Sequence, residues 1–321
     1  MVRRLINCTK SEIQSMNAKQ MKQSIKASEG RVILAQNYVG FGPLVQDTTN
    51  VEMSFAFGAD MVFLNGYPMD GSDIPAFLTP MFENGQLNMK QLTLKDIKEI
   101  TPGPIGVYLE CGLGDDLGTS TAAGIQLIRK ERVASEENLK KLVDEGADFV
   151  VLGGNPGSGT TMDAIVEATR RAKSILKDDL MIWAGKWEDG VNEKVLGDPL
   201  FFEESKRYIK ELIDSGADVI CLPMPGSRTG VIVDEIRELV KLAHTYKEGA
   251  LVMNFLDGSI EGSDTETVRE CALMSKQTGA DIHAIGDAGL SYMAVPENIY
   301  QLALSTKGRR ITWMKLATGH R

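Results

Sequence analysis

Lys186 closes the apolar segment Met181-Ile-Trp-Ala-Gly185, and an amine at the end of such a run can lose its proton readily enough to attack a carbonyl and form an imine. A fixed positive charge in a site and a salt bridge to the following Glu188 or Asp189 are the other readings of the same residue. Glu110 ends Ile105-Gly-Val-Tyr-Leu109 before a glycine-rich stretch, where a carboxylate is placed to move a proton or to bind a divalent ion. Asp287 stands inside Gly286-Asp-Ala-Gly289, a turn that suits phosphate except that a carboxylate repels it. Asp287 therefore reads as a base or a metal ligand. Lys186, Glu110 and Asp287 form the candidate catalytic set, and Glu110, Asp257 and Asp287 the candidate Mg²⁺ set; no cofactor is required by any motif.

Two stretches resemble each other: Asn155-Pro-Gly-Ser-Gly-Thr-Thr161 and Met224-Pro-Gly-Ser-Arg-Thr-Gly230. Glycine lets backbone N–H groups approach a ligand, hydroxyls add donors and a helix start favours negative charge, which is anion-binding chemistry. The plainer alternative is that Pro, Gly, Ser and Thr begin helices everywhere. Candidate ligand residues are Asn155, Gly157, Ser158, Gly159 and Thr160 in the first stretch, and Gly226, Ser227 and Arg228 in the second, Arg228 adding a forked charged donor. Gly286 and Gly289, with Asn37, Asn65 and Asn254 at the ends of apolar runs, complete the set, beside Gln36 and Cys111 at similar ends. Asp115-Asp116 reads as a pair of solvated turn residues, with Mg²⁺ binding beside Glu110 as the alternative.

The elements that must position these residues announce themselves by repetition. Gly-Ala-Asp occurs at Gly58, Gly146, Gly216 and Gly279, each copy following a helical pattern and opening an apolar, largely β-branched run. Gly supplies the left-handed helix cap, and the Asp falls at a strand beginning as a turn or cap residue. A second apolar run precedes each copy: Arg31 to Gln36, Ile105 to Glu110, Leu180 to Gly185 and Ala250 to Phe255. Interleaved with Met61 to Leu64, Phe149 to Leu152, Val219 to Leu222 and Ile282 to Ile285, these make eight buried strands alternating with helices. The expected fold is an α/β (β/α)₈ barrel, with the runner-up an open doubly wound sheet. It occupies residues 30–306 of a single domain 1–321, with an N-terminal extra helix over Ser11 to Ser28 covering the closed end and a C-terminal tail over 307–321.

A net charge of −9 and the absence of a basic run disfavour nucleic acid and anionic membranes as partners. No stretch approaches a membrane span or a signal-peptide core, so the expected location is cytoplasmic. Cys8, Cys111, Cys221 and Cys271 show no metal or disulfide spacing. Of three histidines only His283, inside a strand run, is placed near a site, and a satisfied core histidine is its favoured reading. The long stretches from Asn65 to about Gln91 and from Cys111 to about Ala134 read as lids or partner surfaces. Lys307-Gly-Arg-Arg-Ile-Thr-Trp-Met314 suits an oligomer contact, a reach into the neighbouring site or, equally, a loosely docked terminus, and a homo-oligomer is expected.

With eight alternating strands and helices and a glycine turn after the last strand, the chain resembles the phosphate-binding (β/α)₈ barrels over residues 30–306, without the motif of any characterised family. It is similar in outline to barrels that handle phosphoenolpyruvate and pyruvate, but lacks their Lys-Lys-Cys-Gly-His loop; nor does the sixth strand, Val219 to Leu222, carry the lysine of class I aldolases. The resemblance implies a site at the C-terminal strand ends and a lyase or isomerase acting on a small phosphorylated sugar or keto acid. A Mg²⁺-dependent enzyme and a non-catalytic ligand-sensing or partner-binding barrel are the alternatives.

Overall fold

The computed structural model of the chain describes residues 2–112, 128–156, 158, 160–188, 194–287 and 292–321. Strands β1 (Val32–Tyr38), β2 (Met61–Asn65), β5 (Ile105–Glu110), β6 (Phe149–Gly153), β7 (Met181–Gly185), β8 (Val219–Pro223), β9 (Leu251–Leu256) and β10 (Ile282–Ile285) close into a parallel barrel in that order, β1 pairing with β10. Every expected strand is present, within one or two residues of its expected ends. Helices α3 (Asn50–Ala56), α4 (Leu94–Ile100), α5 (Glu136–Glu145), α6 (Met162–Leu176), α7 (Phe202–Asp214), α8 (Val233–Thr245), α9 (Thr265–Thr278) and α10 (Pro296–Thr318) follow the strands and surround them.

The strands are apolar on both faces, so two cores form. Val32, Leu34, Met61, Phe63, Phe149 and Trp183 fill the barrel, while Ile33, Val62, Val107, Val150 and Ile182 meet the helices. Leu5, Ile6, Ile13, Met21 and Ile25 join the inner core from the N-terminal segment. That segment is two helices, α1 (Lys10–Gln14) and α2 (Ala18–Ala27), rather than the single helix expected. The break is local: the Asn17 side chain accepts the Gln20 N–H at 2.9 Å and Gln20 accepts the Asn17 N–H at 3.0 Å, a reciprocal cap that starts a new helix.

The four Gly-Ala-Asp aspartates do one job four times. Each lies at a strand start and exchanges a pair of hydrogen bonds with the neighbouring strand. Asp60 N–H donates to Ile33 O at 2.8 Å and its Oδ2 accepts the Ile33 N–H at 2.9 Å; Asp148 does the same with Ile105, Asp218 with Ile182 and Asp281 with Val252. Strand stagger in a barrel leaves these end groups without a ladder partner, and the carboxylates supply one. Each also takes a basic side chain: Lys307, Lys98, Lys22 and His244, respectively. Gly146 and Gly279 adopt the left-handed cap, at φ 79° and 87°, that brings the chain from helix to strand.

Two parts of the architecture lay outside the sequence reading. The stretch after β2 carries an antiparallel hairpin, β3 (Leu78–Glu83) with β4 (Gln86–Gln91). Residues 307–318 are not a tail: α10 breaks at Gly308 (φ 75°, ψ 162°) and continues as helix, with Lys307 and Lys315 both buried. Among the described residues no helix is long and apolar enough to cross a membrane.

Candidate active site

Side chains alternate inward and outward along each strand, and this parity decides which strand-end residues reach the barrel mouth. Beyond the inward Val32 and Leu34 come Gln36 and Tyr38; beyond Met61 and Phe63 comes Asn65; Tyr108 leads to Glu110, and Phe255 to Asp257. Gly185 is followed inward by Trp187, whose ring stacks on Phe255 at 5.2 Å between centroids and meets Tyr108 edge-on at 5.9 Å. These rings form an apolar floor directly beneath the polar mouth.

Glu110 is the centre of one half of the mouth. It is 2% exposed and accepts the Asn155 backbone N–H at 3.1 Å and the Asn155 side-chain amide. Asn155 Oδ1 in turn accepts from Asn65 Nδ2 at 3.3 Å. Burial pushes the Glu110 carboxyl above the usual carboxylate range, against the opposing pull of Asn155, Arg132 and Lys186. Arg132, itself buried, lies over the Tyr38 ring at 5.9 Å. Lys186 is also buried, and its Nζ donates to Thr160 O at 2.8 Å. A proton acceptor, an amine and a guanidinium thus share one water-poor half of the mouth.

The other half is acidic. Asp257 Oδ1 accepts the Gly258 N–H at 2.7 Å, and Gln36 Nε2 donates to Asp287 at 3.1 Å. Glu261 is held in place by Asn298, whose amide donates to Glu261 O and Ser263 O at 2.7 Å each. A Cβ at position 286 would lie 3.1 Å from both Asp257 Oδ1 and Glu261 Oε1, so glycine is what lets the two carboxyls close in there. Glu188 is pushed well up, by loss of hydration first and by Asp257 and Asp287 next. Arg228 Nε donates to Trp187 O at 2.7 Å at the border of this half.

Burial first, and Asp257 next, push Glu261 from 4.5 up to about 8. A carboxyl with a raised native pKa binds its proton more tightly folded than unfolded, so its contribution is fully present below pH 4.5 and is lost as pH rises to about 8. Urea denaturation at about pH 5 and about pH 8 should show stability falling across that window, by at most about 1.4 kcal/mol per pH unit from this group. The Glu261→Gln variant should flatten the dependence. An unchanged slope in that variant would remove Glu261 from the account.

Several expected ligand residues lie elsewhere. Asn37 has outward parity and donates to Ser54 Oγ on α3 at 2.9 Å; Asn254, also outward, donates to Ser275 and Thr278 on α9. His283 bonds Ser275 and Gly30 O on the same outer side, and burial lowers its pKa to about 4. The Gly226 N–H goes to Val231 O and the Ser227 N–H to Met224 O, while a Cβ on Gly226 would run into Met274 of α9. The second Pro-Gly-Ser stretch therefore spends its donors on its own turn and contributes Arg228 alone. Ser158 Oγ donates to Thr160 Oγ1 at 3.0 Å, next to the Lys186 contact. Gly157, Gly159, Gly289, Asp115, Asp116 and Asp189 lie outside the described residues. Cys111 is buried and its thiol is pushed up by that burial.

Sequence reading missed Arg132, Tyr108, Trp187 and Glu261 as mouth residues. Parity along Val107 to Glu110 and Gly185 to Trp187 was the available signal for the two aromatics. Arg132 and Glu261 lie in short 3-10 turns between strand and helix, where strand parity gives no such signal. Among the described residues, no group of three or more His, Cys, Asp or Glu is arranged to hold a metal ion.

The model of the family described as "Domain of unknown function (DUF7916)" matches residues 6–321. No curated protein matches the chain in sequence. An archaeal fructose 1,6-bisphosphate aldolase has a similar structure at a TM-score of 0.50 and 16% identity, over 88% of this chain and 96% of that one. A Schiff base forming fructose-1,6-bisphosphate aldolase gives 0.53 and 16% over 87% and 96%. The carboxyl transferase domain of Rhizobium etli pyruvate carboxylase, solved with pyruvate, gives 0.52 and 11% over 96% and 53%. At these identities the likeness shows the barrel fold alone.

Proposed function

We propose that this chain, which belongs to the DUF7916 family, is a lyase or isomerase that works on a small anionic carbonyl compound at the C-terminal mouth of its barrel. The observation that carries the reading is Glu110: a carboxyl buried at a strand end, fixed by two Asn155 donors, and within electrostatic reach of Lys186 and Arg132. A proton acceptor whose pKa is raised and whose position is fixed fits removal of a proton beside a carbonyl. Lys186 as its free amine condenses with that carbonyl to an imine, the carbonyl oxygen leaving as water, and Arg132 and Arg228 bind the anionic group. The Schiff base forming aldolase among the structural neighbours supports imine chemistry as one the barrel accommodates, though this lysine follows β7, the fifth strand of the barrel. Mg²⁺ at Glu110, Asp257 and Asp287 has no converging donor set among the described residues, and no step is assigned to it.

Borohydride reduction in the presence of a panel of sugar phosphates and keto acids tests the reading. A covalent adduct should form on the peptide containing Lys186, and Lys186→Arg should abolish it. An adduct on another lysine, or none across the panel, sinks the imine.

A further inference from the structure

Among the described residues, three polar atoms on residues at least nine-tenths buried at the mouth meet no donor or acceptor at hydrogen-bonding geometry: Asn65 Oδ1, Trp187 Nε1 and Asp257 Oδ2, Asp257 having the carboxyls of Glu188 and Glu261 against it. They come from three strand ends, β2, β7 and β9, at inward positions. Buried polar groups in native proteins are paired, with protein, water or ligand. What each lacks defines what a ligand must bring.

The Asn65 orientation is set by a chain of requirements. As the ionised base Glu110 offers only acceptors, so the Asn155 amide must turn its NH₂ toward it; Asn155 Oδ1 then needs a donor, which fixes Asn65 Nδ2 against it. Asn65 Oδ1 is left as an acceptor. Asp257 Oδ1 already holds the Gly258 N–H, and Oδ2 is a second acceptor, although a proton shared from Glu188 or Glu261 can reach it. Asn65 has no such acid beside it among its described contacts, and is the stricter constraint. Trp187 N–H is a donor only.

We infer, resting on the function proposed above, that the substrate is a hydroxylated carbonyl compound of the sugar type, whose hydroxyls donate to Asn65 Oδ1 and Asp257 Oδ2 and accept from Trp187 N–H. A 2-oxo acid without hydroxyls, ionised at neutral pH, carries acceptors alone and would leave Asn65 unpaired. Leaving such groups unpaired is how a polar site rejects a ligand lacking the matching hydroxyl.

Isothermal titration of the full chain with fructose 6-phosphate, ribulose 5-phosphate and dihydroxyacetone phosphate, against pyruvate and 2-oxoglutarate, tests the inference. At least one hydroxylated probe should bind tenfold or more tightly than either keto acid. Asp257→Asn and Asn65→Ala should each weaken that probe about tenfold or more, and by more than any keto acid, with each variant's thermal midpoint reporting that it is folded. Keto acids binding as tightly as the best hydroxylated probe, no binding by any hydroxylated probe, or two folded variants with undiminished affinity would each overturn it. Trapping on Lys186 by pyruvate alone would uphold the imine and sink this inference; hydroxylated probes that bind with the expected variant losses yet never trap would do the reverse.

Discussion

Replacing Glu110 by glutamine should lower turnover by about 10²- to 10⁴-fold on whichever compound labels Lys186, the range that a positioned general base contributes. The substitution keeps the shape, and one oxygen still accepts from Asn155. It loses a hydrogen bond worth about 1 kcal/mol. Against that loss stands the removal of a carboxylate whose charged form burial disfavours, so the folded state should change little. The pH dependence supplies the second readout. Because burial raises the Glu110 pKa, its basic form is populated as pH climbs through that raised value, and activity should fall on the acid side at a pH above the ordinary carboxylate range. That acid limb should vanish in the glutamine variant. A variant retaining most of its rate, or retaining the limb, would assign the proton transfer to another group.

The largest effect on stability is expected far from the mouth, at Lys307. Its ammonium lies 2.7 Å from each Asp60 oxygen and 3.0 Å from Gly58 O, and both charged side chains are fully buried. Asp60 simultaneously holds the Ile33 N–H, so the pair ties α10 to the first two strands where the barrel closes. Lys307→Met leaves a buried carboxylate with backbone donors alone, and breaking a buried pair in this way costs about 3–5 kcal/mol. Asp60→Asn should destabilise similarly by stranding the ammonium. The double variant, with neither charge, should recover part of the loss, because the two sites share one interaction. Urea denaturation measures all three. A Lys307→Met variant within about 1 kcal/mol of the parent would show that Asp60 finds another cation in the fold.

These two residues also show how unequally the sequence spoke. Glu110 was readable because it ends a five-residue apolar run and strand ends face the site in a barrel of this type. Its neighbours on the mouth were half readable: Asn65 and Asn155 stand inward, but Asn37 and Asn254, equally polar and equally near strand ends, point into the helix layer. Counting parity from Ile33 and Val252 separates them, and that step uses only the alternation of a strand. Lys307 gave no sign at all. It sits in a basic stretch that reads as a surface tail, and its partner lies 247 residues away.

By itself the sequence determined the barrel, because a helix cap, a turn and a buried strand are local events written in Gly-Ala-Asp and in apolar runs a few residues long. It also fixed the four aspartates as structural, since their place at strand starts follows from the same short pattern. Tertiary structure alone decided the chemistry of the mouth. Arg132 reaching Tyr38, Asn298 holding Glu261, and Asp257, Glu261 and Asp287 crowding around Gly286 are meetings of segments remote in the chain. The raised pKa values belong to those meetings, because desolvation and like-charge repulsion depend on distances that only the closed ring sets.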